Sequence, residues 1–572
     1  MKKTCFIAAI LCVAWIASVV YYGETAKLLL QSSLEVIFFI SMSVLIKARR
    51  DNWAYILKGV LFIALYIYFI ECAYYSRAGE FISLLALENI DQAYLLIRPL
   101  YVMIVVMVFS FCLWAVYGRL DISRKKKKIF SICLILSFVG ATLQNVIGGG
   151  TPVFSFFKNI VEDALGTDMT AEKINGYPFQ KEWIYKSELP YPQVRSQGTR
   201  PNIIVIFTEG TSARLLGCYN DKYRELTPNL DDFARQSMVV DRYYNHTTAT
   251  FRGTQGQLAS CYPFHGGSER GGWVGLKEGT GLAKQLAARE YQTLPKILNQ
   301  YGYTTTFLSP HIKSDPYTDL LCMLGFQQVY TRDDASTILE RQVDPWHLSL
   351  TDNDMYSELV KVLEDKKDES PFFIAMYTFE THTNVDTPDN GVKFGDGKNE
   401  TLNTLRNTDS AFSAFWQYFQ QSRYRDNTIV IFTADHCHYH DKSFMSLVAG
   451  DSDYVKCFYD RIPLIVFDPV HELPQRYDAE NNTSLSLTPT ICQLLGINGV
   501  ENSFMGASIF ERESLPVLCD GFHFYSIHDD HVAKVNELPP EDLDEVRKKI
   551  AEIKLFYKCE DANRVFHASE VE

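Results

Sequence analysis

The sequence has no excess of positive charge and no paired cysteines of the kind that bind zinc. Lysine and arginine number 55 against 68 aspartate and glutamate residues, which gives a net charge of −13. Proteins that bind nucleic acid generally carry a basic face, so this balance argues against nucleic acid as a partner. None of the 13 cysteines forms a Cys-x-x-Cys pair, which excludes the common structural zinc motifs. The charged fraction of 22% is also too high for a protein confined to the membrane.

Apolar residues are concentrated in the first 150 positions. Five apolar stretches occur there, each near the roughly 20 residues that cross a bilayer core of about 30 Å as a helix. The first stretch could instead be a cleavable signal peptide. We favour a membrane span, because four similar stretches follow and Tyr21–Tyr22 is a poor cleavage site. The five spans are predicted at about 5–22, 28–46, 53–75, 99–117 and 129–146, within a transmembrane region 1–148.

Positive charges beside these spans predict their orientation. Lys2 and Lys3 precede the first span, and further cations follow the second at 47–50 and precede the fifth at 124–128. These three clusters share one side of the membrane if the N-terminus is cytoplasmic, the side where basic loops accumulate. An odd number of spans then places everything after Gly148 outside the cytoplasm.

The outer part has the pattern of one α/β domain. Residues 149–199, rich in turn-forming residues at both ends, are interpreted as a connector. Beyond them, continuous apolar runs alternate with helical patterns, which predicts a mostly parallel central sheet flanked by helices. Ligands of such sheets bind beyond the carboxyl ends of the strands. The runs lie at 203–207, 304–309, 372–379, 428–434 and 463–468.

Metal-binding side chains follow three of these runs. Glu209 comes just after the first, Asp435 and His436 follow the run at 428–434, and His382 follows the run at 372–379. Carboxylate oxygen with imidazole nitrogen suits Zn²⁺ or Mn²⁺. The sequence therefore predicts a metal site at the carboxyl edge of the sheet.

Several residues allow more than one interpretation. Glu35, inside the second span, either has a functional role or makes a hydrogen bond in the interior of the bundle. His438 and His440 could join a second metal or contact substrate, although we favour a solvent-exposed role. The cysteines outside the spans are even in number and permit up to four disulfides in an oxidising compartment. They are Cys218, Cys261, Cys322, Cys437, Cys457, Cys492, Cys519 and Cys559.

Four motifs in order resemble a known superfamily. "NIIVIFTEGTSARLLGCYN" with "LTPNLDDFARQSMVVDRYYN" is similar to the opening of the sulfatase-like branch of the alkaline phosphatase superfamily. "IVIFTADHCHY", "RIPLIVFDP" and "LTPTICQLLGI" are similar to its closing motifs. With the N-terminal spans, the plan resembles lipoteichoic acid synthases and related membrane phosphoglycerol or phosphoethanolamine transferases. The resemblance implies a catalytic domain at 200–516. The extension at 517–572 contains an amphipathic helix, expected on the domain surface at 541–557.

The resemblance implies a single divalent cation, Mn²⁺ or Zn²⁺ with Mg²⁺ as a further option. It also implies a threonine nucleophile at a helix start. An ungapped match within "HTTATFRGTQGQLASCYP" selects Thr250, with Thr254 as second choice. Metal coordination would lower the pKa of this hydroxyl, and the helix N-terminus would face the phosphate. The implied metal ligands are Glu209, Thr250, Asp435 and His436.

Other residues would contact the substrate. His382 matches the histidine on the substrate side of the family's site, where it would stabilise a phosphoryl oxygen or protonate a leaving alkoxide. Arg252 either pairs with phosphate or caps local structure. His311 and Lys313 lie where the synthases carry phosphate-contacting residues, but the residue types differ.

The implied activity is transfer of phosphoglycerol or phosphoethanolamine from a phospholipid to an envelope glycan or a lipid A-type acceptor. The enzyme would span a bacterial inner membrane several times, with its catalytic domain in the periplasm or outside the cell. Two alternatives stay open: a phosphodiesterase or sulfatase-type hydrolase of the same fold, and an inactive envelope sensor or assembly protein. The cysteine motif Cys-x-Pro-Ser-Arg of sulfatases is absent, which disfavours sulfate-ester hydrolysis.

Overall fold

A computed structural model gives the fold of most of the chain in two compact units, residues 1–168 and 169–572. The described residues are 25–78, 81–82, 99–146, 150–158, 175–194, 200–263, 289–314, 316–347, 349–366, 371–512, 515–521 and 523–567.

The described part of the first unit is helical. Two of its helices, over Trp53–Tyr75 and Arg124–Asn145, are long and apolar enough to cross a membrane, and much of their apolar surface is exposed. The predicted spans from 28–46 onward each coincide with one helix, whereas the span at 5–22 lies outside the described residues. A bundle of five spans therefore stays a prediction. The helices are α1 (Thr25–Lys47), α2 (Trp53–Ala78), α3 (Pro99–Val116) and α4 (Arg124–Val146).

Glu35 makes hydrogen bonds inside the first unit. The hydroxyl of Thr151 donates to Glu35 Oε1 at 2.5 Å, and the backbone N–H of Val153 donates to Oε2 at 3.1 Å. The carboxylate thus caps the helical turn at 152–158. This contact favours the interior hydrogen bond over a functional role for Glu35.

Within the residues that the structure describes, an eight-stranded sheet forms the centre of the second unit. Its order is β4-β3-β5-β1-β6-β7-β2-β8, and every neighbouring pair is parallel except the two pairs that involve β7. The predicted mostly parallel sheet is confirmed. Its strands are β1 (Asn202–Thr208), β2 (Met238–Asp241), β3 (Thr304–Leu308), β4 (Gln328–Tyr330), β5 (Phe372–Tyr377), β6 (Thr428–Ala434), β7 (Leu464–Phe467) and β8 (Arg476–Asp478).

Helices cover both faces of this sheet and form two apolar cores. Successive residues of β1 point to opposite faces: Ile203 and Val205 enter one core, and Ile204 and Ile206 enter the other. A strand that is buried on both sides needs a continuous apolar run, which is what the sequence provides. The helices are α5 (Pro228–Arg235), α6 (Thr250–Ala259), α7 (Leu294–Gln300), α8 (Pro316–Met323), α9 (Ala335–Ile338), α10 (Asp352–Asp365), α11 (Glu400–Gln421), α12 (Lys442–Val448), α13 (Leu487–Leu494) and α14 (Pro540–Asp561).

The C-terminal extension is built into the second unit. It forms an antiparallel sheet of β9 (Val517–Cys519), β10 (Phe524–His528) and β11 (His531–Lys534), followed by α14. The buried face of α14 joins the same core as β1, so this helix is more than a surface attachment. The N–H of Cys519 donates to the carbonyl of His246 at 2.9 Å. The extension therefore supports the segment that leads into α6.

The eight cysteines outside the predicted spans are free thiols, so the disulfides that their even number permitted are not formed. Six of them are buried, as expected of cysteine used as a small apolar residue. Cysteine content therefore gives no support for an oxidising compartment.

Candidate metal centre

The two central strands bring the predicted ligands together. β1 and β6 are parallel neighbours, and Thr208 at the end of β1 lies opposite Ala434 at the end of β6. Glu209 and Asp435 are the next residues of their chains, so both leave the sheet at the same place. Both side chains are buried, as is that of His436. Strand register alone thus creates this cluster of ligands.

Three donor atoms of this cluster face one another. Nε2 of His436 lies 3.3 Å from Glu209 Oε1 and 3.5 Å from Asp435 Oδ2. One ligand atom from each residue falls within 4.8 Å of the others. All three atoms are buried, and within the described residues none has a hydrogen-bond partner. Leaving buried polar atoms unsatisfied costs about 1–3 kcal/mol each, a cost that a bound cation would remove.

The remaining atoms of these ligands are held in place. Asp435 Oδ1 accepts from the N–H of Gly210 at 2.8 Å and from the N–H of His436 at 2.7 Å. Nδ1 of His436 lies 2.6 Å from the carbonyl oxygen of Cys437. A carbonyl can only accept, so Nδ1 carries a hydrogen. With a cation bound, the ring would be neutral and would present the lone pair of Nε2 to the cation.

Burial and neighbouring charges shift the pKa values of Asp435 and His436. Burial, reinforced by the charge of Glu209, raises the pKa of Asp435 to about 7. Burial opposes a charge on His436, but Asp435 and Glu209 outweigh it and raise the pKa of the imidazole to about 9. The site therefore attracts positive charge between its two carboxylates, which a divalent cation would supply.

Thr250 lies at the start of α6 and reaches this cluster. Its hydroxyl donates to Glu209 Oε2 at 2.9 Å. A Cβ at Gly253 would overlap the backbone oxygen of Asp435, so only glycine lets α6 approach this closely. The preceding Ala249 has a φ of 70°, a strained conformation that non-glycine residues rarely adopt.

Thr254, the second choice for the nucleophile, is used differently. Its hydroxyl donates to the carbonyl of Thr250 at 2.9 Å and lies 3.0 Å from the hydroxyl of Tyr317. These contacts place it one helical turn beyond the carboxylates. Of the two candidate threonines, the structure brings Thr250 to the metal ligands.

Tyr377 is a member of the site that the sequence reasoning missed. It ends β5, is buried, and donates its hydroxyl to the same Glu209 oxygen as Thr250. Its ring lies 5.6 Å from that of Tyr317 and 5.8 Å from that of His311. The available signal was its position at the end of an apolar run: β5 neighbours β1, and Tyr377 pairs with Phe207, two residues before Glu209.

The predicted substrate-side histidines lie near each other. The rings of His382 and His311 pack on Phe379 with centroid separations of 5.0 Å and 5.4 Å. Both histidines are half-buried. Burial raises the pKa of Glu209, but His436 and, less strongly, His382 outweigh it and lower that pKa. The structure thus brings both histidines to the edge that carries the metal ligands.

Arg252 and Lys313 occupy contrasting positions. Arg252 is fully buried and donates from Nε to the hydroxyl of Thr247 at 3.0 Å. Lys313 is exposed, and its backbone N–H donates to Asp333 at 2.9 Å. Neither contact involves the metal ligands.

The exposed role that we favoured for His438 and His440 is wrong, because both are buried. Nδ1 of His438 lies 2.8 Å from the carbonyl of Gly210, and Nε2 lies 3.2 Å from Asp441. His440 stacks on Phe458 at 5.0 Å. The polar pattern suggested solvent, but the loop after β6 folds inward over the end of the sheet.

The sheet and its donor set define an α/β domain with a candidate metal site at the carboxyl edge of its central strands. The family model described as Sulfatase matches residues 201–497, more than half of the chain. The chain therefore belongs to the sulfatase family, whose enzyme fold depends on a divalent metal. The resemblance drawn from the motifs is confirmed.

Solved structures share this fold at low sequence identity. The lipooligosaccharide phosphoethanolamine transferase A (EptA) of Neisseria meningitidis, an integral membrane protein, is 15% identical. The match covers 90% of this chain and 98% of that one, with a TM-score of 0.51. An alkaline phosphatase superfamily protein from Vibrio parahaemolyticus is 19% identical over 66% of this chain and 91% of that one, with a TM-score of 0.50. The lipoteichoic acid synthase LtaP of Listeria monocytogenes is 16% identical over 64% and 92%, with a TM-score of 0.48.

Proposed function

We propose that this protein is a membrane-anchored, metal-dependent transferase that moves phosphoglycerol or phosphoethanolamine from a phospholipid head group to an envelope acceptor. The observation that carries the proposal is the hydroxyl of Thr250, at a helix N-terminus and 2.9 Å from a carboxylate of the buried donor cluster. The acceptor is an envelope glycan or a lipid A-type molecule. The membrane is the bacterial inner membrane, crossed five times, with the N-terminus in the cytoplasm and the catalytic domain outside it.

Glu209, Asp435 and His436 would hold the metal, with Thr250 as the fourth ligand. Two carboxylates, one imidazole and a hydroxyl suit Mn²⁺ or Zn²⁺, and Mg²⁺ less well. When bound, the cation would lower the pKa of the coordinated hydroxyl and offset the negative charge of the phosphoryl group.

The first half-reaction transfers the head-group phosphate to Thr250. Thr250 Oγ1 attacks the phosphorus of the lipid, the new Oγ–P bond forms, and the bond from phosphorus to the diacylglycerol oxygen breaks. The Thr250 hydroxyl is hydrogen-bonded to Glu209 Oε2, its proton leaves to solvent, and His382 donates a proton to the leaving alkoxide. Backbone N–H groups of the first turn of α6 bind the phosphoryl oxygens. The products are free diacylglycerol and a phospho-threonine that still carries the glycerol or ethanolamine head group.

The second half-reaction reverses this sequence with another alcohol. His382 takes the proton of the acceptor hydroxyl, which attacks phosphorus and displaces Thr250. Arg252, His311 and Lys313 are the further substrate-contacting candidates. Two displacements at one nucleophile predict ping-pong kinetics.

Two facts support a lipid donor. Helices long and apolar enough to cross a membrane belong to the same chain as the metal centre, and a phospholipid head group lies at the membrane surface. EptA, which shares the fold over most of both chains, is described as a phosphoethanolamine transferase in the membrane.

The test uses the full-length protein, purified in detergent, with phosphatidylglycerol and phosphatidylethanolamine that carry labelled head groups. We expect diacylglycerol release, labelled Thr250 in a tryptic digest, and transfer of label to an envelope fraction. Thr250→Ala should abolish all three, whereas Thr254→Ala should retain labelling. Release of a free head group without transfer would instead identify a hydrolase, and no release from any lipid would favour the inactive sensor.

A further inference from the structure

A polar pocket of about 530 Å³ opens at the sheet edge that carries the metal ligands. Its walls come from the segment after β1, the end of β2, the loop at 450–453 and the residues before β7. β1, β2 and β6 run in the same direction and β7 runs opposite, so all four segments meet at that edge. Ala213, in the wall, is four residues after Glu209, which limits their Cα separation to about 14 Å.

The pocket walls are hydrogen-bonded to the segments that carry the predicted metal ligands. The N–H of Ala213 donates to the carbonyl of Arg461 at 3.0 Å, and the N–H of Ile462 donates to the carbonyl of Tyr243 at 3.0 Å. These bonds join the segment that follows Glu209 to the strand that leads toward Thr250. The pocket is therefore a built part of the same edge.

Positive and negative side chains balance in the lining. Asp453 binds Arg214 at 2.8 Å and Arg461 at 2.5 Å, and Arg242 binds Asp530 at 2.6 Å. The charged lining residues are Arg214, Arg242, Arg461, Asp241, Asp451 and Asp453. Sites for phosphate or sulfate present arginines that are free to pair with the anion. Here each arginine already pairs with aspartate, which disfavours an anionic ligand.

The same lining suits hydroxyl groups. Carboxylates can only accept and guanidinium groups can only donate, so the alternation offers both functions at fixed positions. Asp451 and Ser452, which also line the pocket, add a further carboxylate and a hydroxyl group. Tyr219 adds a half-buried aromatic ring. The volume is that of a pocket for a small ligand.

From these observations we infer that the pocket binds a neutral sugar unit of the acceptor. This inference rests on the proposed transferase function and narrows it: the acceptor is a neutral glycan, and a phosphorylated sugar such as that of lipid A is disfavoured. The hydroxyl groups of the sugar would contact the paired arginines and aspartates, which leaves the next hydroxyl of the glycan to reach the metal centre.

Gly450 provides a substitution that fills the pocket without disturbing the core. It lines the pocket, and a Cβ there would meet no atom within 4 Å. Gly450→Trp therefore places an indole in open space, and Gly450→Ala is the matched control with a single methyl group. Neither change touches a metal ligand or an ion pair.

The binding test does not depend on catalysis. Saturation-transfer NMR is recorded on the full-length protein in a detergent without a sugar head group. The probes are lactose and gentiobiose, compared with glycerol 3-phosphate and phosphoethanolamine. We expect signals from the disaccharides that persist in Gly450→Ala and fall at least tenfold in Gly450→Trp. Signals from the anionic probes alone, or from no probe, would overturn the inference.

The kinetic test separates this inference from the proposed function. In Gly450→Trp, diacylglycerol release without an acceptor, which loads the head group onto Thr250 in a single turnover, should match the wild type, while KM for a neutral glycan acceptor rises at least tenfold. An unchanged KM would refute the pocket assignment and leave the transferase intact. Absence of diacylglycerol release in the wild type would instead refute the proposed function. The NMR result would still show whether the pocket binds a neutral sugar.

Discussion

At the carboxyl edge of the central sheet, two groups of buried carboxylates differ in whether their oxygens have hydrogen-bond partners. In the metal centre, Glu209 Oε1 and Asp435 Oδ2 have no hydrogen-bond partner in the described part of the chain. In a second group, Asp352 Oδ1 accepts from the N–H groups of Phe379 and Glu380, both at 3.1 Å. Glu380 in turn accepts at 2.8 Å from the N–H of Asp352. The first group is a candidate cation site. The second group, Asp352 and Glu380, forms a hydrogen-bonded bracket that holds the loop leading to His382.

Glu358 is a third buried acid, and it belongs neither to the candidate cation site nor to a hydrogen-bonded group. Glu358, on α10, is fully buried, and both of its oxygens lack hydrogen-bond partners among the described residues. Burial, reinforced by Asp334 and Asp354, raises its pKa to about 8. A proton neutralises this carboxyl at neutral pH. A buried carboxyl group can thus be stabilised by a cation, by hydrogen bonds or by a proton.

Removing a carboxylate from the metal centre should have the largest effect on activity. We expect Asp435→Asn to lose bound metal and to lower diacylglycerol release by about 10³-fold or more, because the site loses a charged ligand. Bound metal is measured by plasma mass spectrometry on the purified protein. Asp352→Asn is the matched control and should keep its metal. An Asp435→Asn variant that retained stoichiometric metal would contradict the assignment.

Breaking the bracket should act on stability instead. Asp352→Ala removes the acceptor of two backbone N–H groups and of the Thr408 hydroxyl. We expect a loss of about 3 kcal/mol in the free energy of unfolding, since buried donors are left unsatisfied. Denaturant unfolding measures this loss, and metal content should not change. A stability equal to that of the wild type would show that the bracket does not hold the loop.

Tyr377 tests whether the hydrogen bond to Glu209 matters for catalysis. Tyr377→Phe removes one hydroxyl and keeps the ring that packs against His311 and Tyr317. We expect kcat to fall about tenfold, the cost of about 1.4 kcal/mol for a charge-assisted hydrogen bond. Thermal stability and metal content should stay within error of the wild type. A drop in Tm without a drop in kcat would assign Tyr377 to packing alone.

The smallest effect concerns pH. Because the pKa of Glu358 is raised in the folded protein, the folded state keeps its proton between the unfolded value of about 4.5 and about 8. Its contribution to stability is therefore present below this window and is lost as pH rises through it. Glu358→Gln should raise the stability at pH 9 relative to the wild type and change it little at pH 5. Tm at the two pH values measures this, and equal shifts at both would contradict it.

Much of the fold could be predicted from apolar runs. The run at 428–434 coincides with β6, and those at 203–207 and 372–379 contain most of β1 and β5. The short strands β4 and β8 gave no such signal, because edge strands of three residues bury little. The antiparallel direction of β7 was also missed, since an apolar run carries no direction.

Motifs and apolar runs identified the family and the apolar N-terminal region. They also predicted three metal ligands, because Glu209, Asp435 and His436 directly follow strands whose ends meet. The same patterns left Thr250 and Thr254 in competition, missed Tyr377 and placed His438 and His440 in solvent. These points depend on tertiary packing. Which hydroxyl reaches Glu209 depends on how closely α6 packs on Asp435, and which histidine is buried depends on how a loop folds over the sheet. Local sequence specifies strands and helices, but contacts between residues distant in the chain are made only when those elements pack.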